Sequence, residues 1–150
     1  MVIPVSHHGR DLEHWPLRDT LILGALADAV PTARAHLRQV LSGWGQAELC
    51  SDASVVVSEL VTNSVAASAG LRLASVLVWL GSDRRCFLLA VADASPRPPV
   101  RLNLRPDAEG GRGLALVEVF SSRWGWHPVS STGLRKVTWA EWRLRRRSPT

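Results

Sequence analysis

The chain has 150 residues, of which 46% are hydrophobic and 21% charged, which suits one globular domain with a sizeable core. Its formal net charge of +5 is uneven, about −1 over residues 1–100 and +6 over residues 101–150. Much of the excess sits in Arg143, Arg145, Arg146 and Arg147, and such a basic end reads as a solvated tail rather than a nucleic-acid surface. Cys50 and Cys86 have no CxxC partner or histidine spacing, which argues against a disulfide framework or a structural zinc site. The single lysine, Lys136, among so many arginines reads as codon bias rather than function. No apolar run approaches the ~20 residues that cross a bilayer, and no signal-peptide core opens the chain, so a cytoplasmic protein without membrane contact is expected.

In chain order, residues 1–14 are polar, contain His7, His8 and His14, and are expected to form a loose leader. TLILGAL (Thr20–Leu26) has strand length. PTARAHLRQVLSGWG predicts a helix with Pro31 in its first turn, a buried stripe of Ala35, Leu37, Val40 and Leu41, and an end at Gly43 or Gly45. A second helix is expected over Asp52–Ala69, capped by Ser51 or Asp52, with Gly70 in the left-handed position past its end. LASVLVWLG (Leu73–Gly81) and CFLLAVAD (Cys86–Asp93) read as strands joined by the turn SDRR, hence as an antiparallel hairpin. Ser95–Pro106 is too rich in proline for a helix or a central strand. A glycine cluster then opens a helix to about Ser121, and Ser122–Val129 and Arg135–Leu144 close the chain as two strands around the turn SSTG. This order predicts an α+β fold, a two-layer α/β sandwich with a mixed, mostly antiparallel sheet and helices on one face. The domain is expected over residues 15–144, followed by a basic tail over 145–150.

Three stretches could carry chemistry. In VVVSELVTNSVAAS, Glu59 and Asn63 lie four residues apart and so about 40° apart around a helix, flanking the buried stripe. A carboxylate one turn from an amide oxygen can serve as general base and hard-cation ligand, or simply as a semi-exposed polar pair. In VADAS, an apolar strand ends in Asp93, which can accept a hydrogen bond from a ligand amino group or turn back on its own backbone. In AEGGRGLALVEVF, Gly110, Gly111 and Gly113 permit close backbone approach before a helix whose free N–H groups attract an anion, with Arg112 adding a cation. The pattern is neither GxxxxGK[ST] nor a GxGxxG after a first strand.

Order and spacing join the three. Asp93 follows Asn63 by 30 residues, and Gly111 follows Asp93 by 18. SELVTNSV, DAS and GGRGLALV in this order resemble the N-box and the two glycine boxes of the GHKL nucleotide-binding superfamily, which includes gyrase-type ATPases, histidine kinases and small anti-sigma-factor serine kinases. The single-domain bacterial kinase-like group, with its SELVTNAV, D-x-S-P-R-P-P and EGGRGL motifs, is especially similar, and the likeness runs from Trp15 to Trp142.

The resemblance implies ATP and Mg²⁺ as ligands. By this likeness Asn63 holds the metal, Glu59 orients or deprotonates the attacking nucleophile, and Asp93 accepts from the adenine amino group. Ser95, Gly110, Gly111, Arg112, Gly113, Leu114 and Thr138 complete the implied ATP site. There are departures. Ala66 and Ala67 replace a basic-His pair, Ser95 replaces a glycine of the sensor kinases, and Lys136-Val137-Thr138-Trp139 stands where relatives read Lys-Thr-Val-Trp, which moves the hydroxyl to the other face of the strand. The implied function is an anti-sigma-type serine/threonine protein kinase whose partners are a sigma factor, an anti-anti-sigma protein, or both, with homodimers common among relatives. The alternative is a regulatory binding module that takes ATP and a partner without phosphoryl transfer.

Overall fold

Along VLVWL the residues Val76, Val78 and Leu80 point to one side of a strand and Leu77 and Trp79 to the other, and all are buried. Phe87, Leu89 and Val91 alternate in the same way with Leu88, Ala90 and Ala92. Strands apolar on both faces need a cover on both. The computed structural model, which describes residues 6–7, 10–99, 113–131 and 133–145, supplies two.

The elements are β1 (Ser6–His7), β2 (Arg10–Asp11), β3 (Leu17–Gly24), α1 (Ala29–Gly43), α2 (Cys50–Ala67), β4 (Ser75–Ser82), β5 (Cys86–Asp93), α3 (Gly113–Phe120), β6 (Arg123–Ser131) and β7 (Leu134–Arg143). Five strands form one sheet in the order β3-β4-β5-β7-β6. Every neighbouring pair is antiparallel, so the expected two-layer sandwich is present with a sheet that is antiparallel throughout. Pro128 is accommodated because β6 is an edge strand, and the pairing shifts register just after it.

The three helices cover one face, with α2 between α1 and α3. Their buried side chains include Leu37 and Leu41 of α1, Val56, Val57, Leu60 and Val61 of α2, and Val117 of α3. The predicted stripe of α1 is corrected at one position: Ala33 is buried and Ala35 exposed. Steps of four back from Leu41 and Leu37 reach Ala33 and Ala29, whereas Ala35 points about 160° away from Leu37. Helix α2 begins at Cys50 directly from a 3-10 turn over Ala47–Leu49, so neither Ser51 nor Asp52 caps it. Gly70, with φ of +81°, takes the left-handed position expected past its end.

The second face is covered by Leu12, from the stretch read from sequence as a loose leader, and by Trp15, where the domain was expected to begin. Strands β1 and β2 pair, and Leu12 and Trp15 are buried against Leu77, Trp79, Leu88, Ala90 and Val137. His7, expected at the surface, is buried: its Nε2 lies 2.6 Å from Glu141 Oε2 and its ring meets Trp139 edge-on at 4.5 Å. Polar composition hid this because two large apolar residues do the covering. Glycine opposes an aromatic ring twice on this sheet, since Gly125 lies under Trp139 and Gly81 under Trp79, each leaving no room for a Cβ. No helix among the described residues is long and apolar enough to cross a membrane.

Candidate functional site

Helix α2 presents its buried side to the sheet and carries Glu59 and Asn63 at the margin of that contact, both half-buried. Neither has a hydrogen-bond or ion-pair partner among the described residues. Removal from water pushes the Glu59 carboxyl above its ordinary value, as expected for an acid whose charged form loses hydration. Nearby polar residues of the same helix are by contrast engaged: Ser58 Oγ donates to the Ser54 carbonyl at 2.7 Å and accepts from Arg34 Nε of α1 at 3.1 Å.

The next residue along, Ser64, turns inward and is buried. Its Oγ donates to Asp93 Oδ2 at 2.7 Å, which ties the end of β5 to α2 one residue after Asn63. Asp93 is 1% exposed. Its Oδ1 accepts from the Ser95 backbone N–H at 2.9 Å and forms an ion pair at 3.3 Å with Lys136 Nζ, from the position directly opposite on β7. The buried Lys136 also donates to the Arg97 carbonyl at 2.7 Å, tying down the chain that leaves β5. Asp93 makes the local turn that is one of its two sequence readings, through Oδ1 and the Ser95 N–H, while Oδ2 faces the helix. Ser95 contributes its backbone, while its Oγ accepts from the Arg97 N–H at 3.3 Å.

Thr138 is buried two residues beyond Lys136, paired with Val91, and by the period of two it shares the helix-facing side with Lys136 and Asp93. Gly113 opens α3, and Leu114 and Val117 bury the helix against the core. Its far end is pinned by Trp142 Nε1, which donates to the Phe120 carbonyl at 2.6 Å. Gly110, Gly111 and Arg112 lie outside the described residues. A cleft of about 330 Å³ at the same end of the sheet includes Ala94, Leu71, Leu73 and Leu134. Ala94 alternates with Asp93, so this cleft opens on the opposite face and does not contain the carboxylate.

The family model described as Histidine kinase-like ATPase domain matches residues 23–139, which span Glu59, Asn63, Asp93 and Lys136. The chain belongs to this family. A comparison with curated proteins found no match. Membership in the histidine kinase-like ATPase family implies ATP binding; Glu59 and Asn63 lie on α2, and Ser64 of the same helix bonds Asp93 at the end of β5. Sequence reasoning missed Ser64 and Lys136. Ser64 had a signal in its place beside Asn63 on the helix, and Lys136 in being the chain's one lysine, but the contact of each with Asp93 depends on packing and strand register.

Proposed function

We propose that this domain is an ATP-dependent serine/threonine protein kinase of the anti-sigma type, acting on a small anti-anti-sigma protein and sequestering a sigma factor. The observation that carries this reading is the unpartnered, half-buried Glu59 one turn from Asn63, on the helix whose Ser64 bonds Asp93. Among the described residues no group of three or more His, Cys, Asp and Glu forms a metal cage. Mg²⁺ needs none, because it keeps several waters and takes one or two protein oxygens beside substrate phosphates, and the Asn63 amide oxygen fits that demand, leaving the Glu59 carboxylate to act as base. The metal, when bound, neutralises phosphate charge.

Positioning does most of the work in phosphoryl transfer. Asp93 accepts from the adenine amino group and fixes the base. The start of α3 offers backbone N–H groups toward the phosphates. A substrate hydroxyl oxygen then bonds to the γ-phosphorus, the bond to the β-phosphate oxygen breaks with ADP leaving, and the hydroxyl proton passes to Glu59.

The test is transfer of labelled phosphate from ATP to the anti-anti-sigma partner. The expected result is labelling by the native chain that is lost in Glu59→Ala while ATP binding persists. A partner that binds the native chain and never becomes labelled overturns the kinase reading in favour of a non-catalytic regulatory module. Nucleotide titration tests the site itself: Asp93→Asn is expected to weaken ATP binding, and Asn63→Ala to remove its Mg²⁺ dependence.

A further inference from the structure

The hydrogen-bonding capacity at the floor of this site is only partly used. An ionised carboxylate offers about four lone-pair positions, and Asp93 spends two of them on Oδ1, toward the Ser95 N–H and Lys136 Nζ, and one on Oδ2, toward Ser64 Oγ. One acceptor position on Oδ2 is left. An ammonium offers three donors, and Lys136 directs one to the Arg97 carbonyl and one toward Asp93 Oδ1. The third has no acceptor among the described residues, although Lys136 is only 4% exposed. A buried donor of this kind is costly unless something completes it.

We propose that Lys136 is a specificity-determining residue that donates to the ring nitrogen next to the amino group accepted by Asp93. The inference rests on the reading of Asp93 as the base-recognition carboxylate. The spare acceptor on Asp93 Oδ2 and the spare donor on Lys136 Nζ belong to a carboxylate and an ammonium that already meet at 3.3 Å through Oδ1. Side by side they are the complement of an amino group beside an unprotonated ring nitrogen. The 6-amino group and N1 of adenine form such an edge. Base recognition then runs through a direct side-chain pair. Lys136 and Asp93 come from paired positions on adjacent strands, so sheet register fixes their separation before any ligand arrives. The Arg97 carbonyl keeps the ammonium from swinging away.

The experiment compares three nucleotides on the full chain: ATP, 1-deaza-ATP, in which a C–H replaces N1, and purine riboside triphosphate, which lacks the 6-amino group. A buried charged donor left facing a C–H discriminates strongly, so 1-deaza-ATP is expected to bind roughly 10- to 100-fold more weakly than ATP. In Lys136→Met the two are expected to bind alike. The ligand comparison on the native chain stands even if that variant fails to fold. Equal binding of ATP and 1-deaza-ATP by the native chain, with purine riboside triphosphate still weaker, overturns the role of Lys136 and leaves Asp93 in place. Failure of the native chain to bind ATP overturns the reading of the site and this inference with it.

Discussion

Ser64 Oγ and Asp93 Oδ2 are joined by a 2.7 Å hydrogen bond that ties helix α2 to the end of β5 with both side chains buried. A bond to a carboxylate in such a place contributes more than a neutral one, about 1.5–3 kcal/mol. Ser64→Ala is expected to lower stability by about that amount and to weaken ATP binding, since Asp93 loses one of the contacts that orient it. Urea unfolding and ATP titration on the same preparation check both. A variant as stable as the native chain, with unchanged affinity, would remove Ser64 from the site.

The raised Glu59 carboxyl has a predictable effect on pH dependence. A general base works only when deprotonated, so the acid limb of phosphoryl transfer is expected above the ordinary glutamate range. Folding responds in the opposite sense. Between the ordinary and the raised value the folded chain binds more protons than the unfolded chain, so the contribution of Glu59 to stability falls as pH rises through that window. Glu59→Gln is expected to abolish transfer and to flatten this slope. Rate–pH profiles and unfolding midpoints across the acid range measure the two effects separately.

Gly81 is expected to resist substitution for reasons of space. A Cβ there would overlap the six-membered ring of Trp79, which packs in the second core. Gly81→Ala forces the indole or the strand to move, at about 1–3 kcal/mol for an overpacked interior. Thermal unfolding reads the loss, and a midpoint within a degree of the native value would show that the ring moves freely.

The Cys86 thiol is pushed up to about 12 by burial, with Glu141 and Asp83 adding negative charge nearby. The thiolate is the reactive form, so Cys86 is expected to resist iodoacetamide in the folded chain at pH 8 and to label readily in denaturant. Mass mapping of the labelled positions decides this, and rapid native labelling of Cys86 would contradict it.

The helices and strands were legible because their apolar residues recur at spacings of four and two, as at Leu37 and Leu41 or at Val76, Val78 and Leu80. Glu59, Asn63 and Asp93 were legible as a spaced set of residue types with related chemical demands. Lys136 was not, because its pairing with Asp93 spans 43 residues of chain and exists only through the register of β5 against β7. Leu12 and Trp15 were hidden differently. Two apolar residues in a polar stretch show no period, yet each is wholly buried by the strands it meets.

That N-terminal cover separates two kinds of boundary. Residues 23–139 are the span that identifies the family, but Leu12, Trp15, Glu141 and Trp142 all fall outside it. The first two shield Trp79 and Leu88, Glu141 anchors His7, and Trp142 holds the end of α3. A piece trimmed to the family span would keep every residue proposed to contact the nucleotide and lose Leu12 and Trp15, which cover the second side of the sheet. What is recognised as the domain and what packs around its sheet are therefore different lengths of the same chain.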